Sequence, residues 1–137
     1  TVNAMAAADT VLVPMQCEYF ALEGLTALVD TINKLAAVVN ADLKIEGILR
    51  TMYDPRSSLT NAVSAQLRKY FDDKIYRVSI PRNVRLAEAP SHGMPALAYD
   101  KNSKGAIAYL ALAVEILKRA NTDAQIKGAT GAQTNDQ

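Results

Sequence analysis

One cysteine, six glycines and a net charge of +1 set the first limits on this 137-residue sequence. A lone Cys17 cannot form an internal disulfide, which fits a reducing compartment, so a cytoplasmic location is expected. Fifteen basic against fourteen acidic side chains exclude a polyelectrolyte that coats nucleic acid or anionic lipid over its whole surface. Any such binding must come from a local cluster. No apolar run approaches the roughly 20 residues needed to cross a bilayer, and no basic-then-apolar leader opens the sequence. Neither export nor membrane insertion is expected.

The scarcity of glycine has a chemical counterpart. No G-x-x-x-x-G-K-S/T string occurs, so no loop offers its amides to the β- and γ-phosphates of a nucleotide. Phosphoryl transfer by this sequence alone is not expected, and no catalytic residue is assigned. G-x-G-x-x-G, C-x-x-C and H-E-x-x-H are missing too. His92 has no second imidazole with which to share a metal, and it reads as a locally bonded turn residue. No metal site is assigned.

What is there is a 50% hydrophobic chain, long enough for one core. Val11 to Met15, Ile45 to Thr51 and Ile75 to Ile80 are short and rich in Val and Ile, which predicts three strands. Between them Leu22, Leu25, Val29, Ile32, Leu35 and Val39 recur at helical spacing, and Leu59, Val63, Leu67 and Tyr70 do so farther on. Ser57 or Ser58 is placed to cap the second helix. A last helix is predicted from Ser103 to about Arg119, burying Ile107, Leu110, Val114 and Leu117. The alternation predicts an α/β fold: part of a doubly wound, mostly parallel sheet flanked by helices. The polar stretch from Thr122 to Gln137 is expected to be a disordered tail beyond a domain of residues 1–121. Thr1 to Ala8 is helix-prone and uncapped, and reads as part of an interrupted helix.

Loops that follow parallel strands emerge on one edge, where ligands bind. Three such loops, Gln16 to Gly24, Met52 to Ser58 and Pro81 to Gly93, hold nearly all the residues with plausible chemistry. Arg82 and Arg85 share the third, and Arg56 lies in the second. Arginines grip phosphate through charge and paired hydrogen bonds, so this edge is a candidate for DNA or a nucleotide. Glu18 and Glu23 suit the start of the first long helix as dipole complements. Cys17, with no basic neighbour in sequence, reads as a buried filler.

The strings NAMAAAD, VLVPMQCEYFALEGL, IEGILRTMYDPRSSL, IPRNVRLAEAPSHG and NSKGAIAYLALAVEIL resemble the carboxyl-terminal half of ParA/Soj chromosome- or plasmid-partitioning ATPases, of the deviant-Walker P-loop class. The resemblance runs from Asn3 to about Arg119. It implies a P-loop NTPase-like fold that binds ATP and Mg²⁺, forms a homodimer in the ATP state and holds non-specific DNA on the nucleoid. A ParB-type centromere-binding partner would then stimulate hydrolysis. Arg56 and Arg85 match arginines associated with DNA binding in the family, and Thr51, Met52 and Pro81, Arg82, Asn83 match the surroundings of the adenine. The family's phosphate loop and Mg²⁺-holding acids precede the matching region and are absent here. Two other readings are a small α/β adaptor module without catalysis, and a relative of the membrane-bound division-site ATPases; the polar residues after Asn121 lack the apolar stripe that the last would need.

Overall fold

The computed structural model describes residues 1–132. In chain order they form α1 (Val2–Ala7), β1 (Thr10–Gln16), α2 (Tyr19–Val38), β2 (Lys44–Thr51), α3 (Ser58–Phe71), α4 (Val84–Glu88), α5 (Ala96–Tyr99) and α6 (Lys104–Ala132). Short 3-10 turns follow α3 and α4. The class is α/β, as expected. β1 and β2 pair in parallel, Val13 opposite Ile48 and Met15 opposite Arg50, and α2 makes the crossover between them.

Alternation along β2 builds two layers. Ile48 packs with Val13, Met15 and Cys17, with Leu25 of α2 and with Val63 and Leu67 of α3. Its neighbour Leu49 points the other way and packs with Tyr76, Ile80 and Leu112 of α6. Helices therefore cover both faces, the doubly wound arrangement. Ser57 is the cap of α3, its hydroxyl accepting from the Thr60 amide at 3.2 Å. Of the predicted stripes, Leu25, Ile32, Val63 and Leu67 are buried, whereas Val39, Leu59 and Tyr70 at the stripe ends are exposed. α1 buries none of its residues, but Asn40 donates to its Met5 and Ala8 carbonyls at 3.0 and 2.8 Å and ties it to the end of α2.

The predicted third strand is only partly laddered. The Tyr76 amide donates to the Ile48 carbonyl and the Ile80 amide to the Arg50 carbonyl, so four residues on one side span two on the other. The intervening amides of Arg77 and Val78 donate instead to the two carboxylate oxygens of Glu115 on α6, each at 2.9 Å. The Arg50 guanidinium takes the carbonyls of Tyr76 and Arg77 at 3.3 and 3.1 Å. Side chains thus replace the strand pairing that the Val/Ile pattern implies.

α6 buries the face opposite to the predicted one. Ala106 and Leu112 are buried with Ala108 and Ile116 packed beside them, while Ile107, Leu110, Val114 and Leu117 are about half exposed or more. The segment is apolar nearly all round, so periodicity offers two stripes; the polar contacts of Glu115 and the close seat of Gly105 under Leu86 select one. A Cβ on Gly105 would lie 2.4 Å from Leu86 Cγ. The helix also runs past Arg119 to Ala132, so residues 122–132, expected to be disordered, are helical here. Residues 122–130 of this stretch are exposed. Residues 133–137 of the expected tail lie outside the described residues. No described helix is long and apolar enough to cross a membrane.

Candidate functional site

The strand ends bring the second and third loops together. The Tyr53 amide donates to the Ile80 carbonyl at 3.0 Å, and Tyr53 forms a parallel bridge with Pro81. Asn61 of α3 secures the second loop, donating to the Pro55 carbonyl at 2.8 Å and accepting from the Tyr53 hydroxyl at 3.3 Å. Met52, directly after β2, has φ +50°, the sole positive φ at a non-glycine among the described residues. An L side chain in that region is uncommon and marks a backbone held by its surroundings.

Arg82, Asn83, Arg85 and Lys104 line one open cleft of about 660 Å³, with Glu88 and Asp100 among its walls. The cleft does not include Thr51, Met52, Pro81 or Arg56. The Asn83 Oδ1 atom is buried and has no hydrogen-bond partner. A larger cleft, about 1330 Å³, opens at the opposite ends of the strands among Thr10, Lys44, Arg68, Glu115 and Arg119. It holds both signs of charge and none of the DNA- or nucleotide-binding candidates Arg56, Arg85, Thr51, Met52, Pro81, Arg82 and Asn83.

Both arginines of interest are engaged by carboxylates. Arg56 meets Asp54 through Nε–Oδ1 at 3.0 Å and Nη2–Oδ2 at 3.2 Å. Those hydrogen bonds hold the Asp54 carboxyl below its usual range, with a smaller electrostatic contribution from Arg82. Arg85 donates from Nη1 to Glu88 Oε2 at 2.9 Å, and its Nε lies 3.4 Å from Asp100 Oδ2. The Tyr99 hydroxyl donates to the same Glu88 oxygen at 2.8 Å. Tyr99 first, then Arg85, holds the Glu88 carboxyl low, and Glu88 in turn pushes the Tyr99 phenol up. Sequence reasoning missed these partners. Glu88, three residues after Arg85 on a helix, was within reach of the spacing rule; Tyr99 and Asp100 arrive from α5 and its end and carry no local signal.

The remaining candidates are quiet. Glu18 stands at the N-cap of α2 without a side-chain cap bond. Cys17 is buried, and burial pushes its thiol pKa up against the opposing charge of Arg50. His92 is locally bonded, with Nδ1 3.2 Å from the Glu88 carbonyl and its ring 4.7 Å from that of Tyr99. Among the described residues no three His, Cys, Asp or Glu side chains gather as a metal site.

Comparison with known proteins adds a lineage to this geometry. A family profile described as an AAA domain matches residues 1–45. An uncharacterized protein of Pseudomonas putida is 66% identical over 119 residues, 87% of this chain and 45% of its own length. The chromosome partitioning protein ParA of Caulobacter vibrioides is 53% identical over 129 residues, covering 94% of this chain and 48% of its own. The sporulation initiation inhibitor protein Soj of Bacillus subtilis is 53% identical over 116 residues, 85% and 46% of the two chains. The chain therefore spans about half the length of the curated relatives it matches. Among solved structures, a cobyrinic acid a,c-diamide synthase of Mycobacterium smegmatis with bound ADP and magnesium superposes with a TM-score of 0.67 at 30% identity, over 88% of this chain and 42% of that one. Across the residues that it shares with ParA and Soj, the chain belongs to the ParA/Soj family.

Proposed function

We propose that this chain carries the DNA-contact loops and the base end of the nucleotide site of a partitioning ATPase, the phosphate end being supplied by residues outside this sequence. The observation that carries the reading is the joined edge. Tyr53 and Pro81 bridge the two arginine-bearing segments at the ends of the strands, and Arg56 and Arg85 are both exposed. Guanidinium groups there would contact phosphates by charge and paired hydrogen bonds, which fixes a duplex without reading its bases.

The residues present fit one part of a bound ATP only. Thr51, Met52, Pro81, Arg82 and Asn83 would surround the adenine, and the unpartnered Asn83 Oδ1 is an acceptor that suits a donor such as an exocyclic amine. Nothing in the sequence cradles the phosphates, and no acidic cluster among the described residues suits Mg²⁺. Nucleotide, when bound, supplies the dimer state in which two copies of the arginine edge act together on non-specific DNA. A ParB-type protein would be the partner that ends that state.

The test is fluorescence anisotropy of labelled duplex DNA with the full-length gene product and ATP. Arg56→Ala and Arg85→Ala are each expected to weaken binding to every sequence alike while nucleotide binding persists. Undiminished DNA affinity in both variants would move the contact surface elsewhere and remove the main support for this function.

A further inference from the structure

We propose that Glu88 and Tyr99 are positioning residues that hold Arg85 off DNA, forming a latch that must open before the arginine reaches a phosphate. This rests on the proposed role of Arg85 as a DNA contact. A guanidinium grips phosphate best through the edge formed by Nε and one Nη, which presents two parallel donors. In Arg85 neither two-donor edge is whole: Nε, which shares that edge with Nη2, lies 3.4 Å from Asp100 Oδ2, and Nη1, which shares the end-on edge with Nη2, donates to Glu88.

A solvent-exposed arginine–carboxylate pair is ordinarily weak, because two long side chains must be ordered to make it. Here much of that ordering is done by a third group. The Tyr99 hydroxyl fixes the Glu88 oxygen at 2.8 Å, and the Tyr99 ring rests against His92, whose Nδ1 lies 3.2 Å from the Glu88 carbonyl. Glu88, His92 and Tyr99 thus brace one another across α4, the following turn and α5. Arg85, on the first turn of α4, is the one cation they hold among the described residues. α4 itself is fixed on α6 by Leu86 against Gly105, so the latch opens by side-chain rotation, without displacement of the helix.

The latch and a simple charge effect predict different things. Removing any carboxylate near DNA strengthens binding through the general field, whether or not Arg85 is present. Tyr99→Phe removes no charge, yet frees Glu88 from its brace. The experiment is DNA anisotropy with the ATP-bound full-length gene product carrying Glu88→Gln, Tyr99→Phe, Arg85→Ala and the two doubles with Arg85→Ala. Glu88→Gln is expected to tighten binding roughly two- to five-fold per site, and Tyr99→Phe by less, as befits an exposed pair. In the Arg85→Ala background the Tyr99→Phe gain should vanish and the Glu88→Gln gain should shrink to the field effect of one lost carboxylate. A Tyr99→Phe gain that survives there, an undiminished Glu88→Gln gain, or no gain in either single variant while Arg85→Ala still weakens binding, overturns the latch and leaves the DNA contact standing. If Arg85→Ala leaves affinity unchanged, the contact reading itself fails at this residue and takes the latch with it.

Discussion

Gly47 and Tyr76 share one space: a Cβ on Gly47 would lie 2.4 Å from Tyr76 Cε2, inside any allowed contact. The ring is fully buried, with the Arg119 guanidinium 4.3 Å from its centroid on another side, so it cannot withdraw. Gly47→Ala is therefore expected to destabilise the fold by about 1–3 kcal/mol, the range for forcing one extra carbon into a packed core. Tyr76→Phe should change stability little or raise it slightly, because the buried hydroxyl makes no hydrogen bond of good geometry and only approaches the Glu46 carboxylate. Urea unfolding of the two variants checks both signs; a stable Gly47→Ala would mean that the ring has room the structure denies it.

A second prediction concerns Glu115, which stands in for a strand. Its two oxygens accept from the Arg77 and Val78 amides, and Oε2 also pairs with Arg119 at 3.1 Å. Glu115→Ala leaves both amides without acceptors, a loss of about 1–3 kcal/mol for each group that water cannot reach. Glu115→Gln retains one acceptor but turns an NH₂ toward a donor, so it should fall between. Hydrogen exchange at the Arg77 and Val78 amides should accelerate in both variants; unchanged protection there would refute the role.

How far the sequence speaks is visible in these same residues. Val/Ile runs located β1 and β2 because strand pattern and core coincide there, and Ser57 announced the start of α3 because capping is local. The 75–80 segment carries the same pattern, yet its ladder is broken by Arg50 and Glu115, which lie far from it in the chain. α6 misled for a related reason: with apolar residues on every side, its buried face was decided by Glu115 and Gly105, which periodicity does not weigh. At the candidate site Arg56, Arg82 and Arg85 were legible from loop position. Their partners were less so, since Asp100 meets Arg85, and Tyr99 meets Glu88, only through the turns around α5.

A third prediction follows from the depressed carboxyl groups of Asp54 and Glu88. A group whose folded pKa lies below its unfolded value contributes stability that is fully present above the unfolded value and is lost as pH falls through the folded one. Both loops should accordingly loosen on acidification below the ordinary carboxylate range, with no change across neutral pH from these groups. Carbon-detected NMR titration of the Glu88 carboxyl reads it directly. Tyr99→Phe should raise the Glu88 midpoint, because the phenol is the first cause of the depression; an unmoved midpoint would show that the hydrogen bond at 2.8 Å does not persist in solution.

The last prediction puts a magnitude on the DNA contact. This sequence carries a net charge of only +1, so the salt dependence that it contributes should count the local contacts. If Arg56 and Arg85 each neutralise one phosphate in both copies of an ATP-bound dimer, log affinity should fall against log salt with a slope of about −3.6, at roughly −0.9 per contact. Arg56→Ala and Arg85→Ala should each flatten that slope by about 1.8, since each removes two contacts per dimer. Neither should alter preference among DNA sequences, because phosphate contacts carry no base information. Anisotropy across a salt series with the full-length gene product and ATP measures all three. A slope unchanged in both variants would shift attention to Lys101, Lys104 and Lys118 around α6, whereas a change in sequence preference would mean that one of the arginines reaches a base edge.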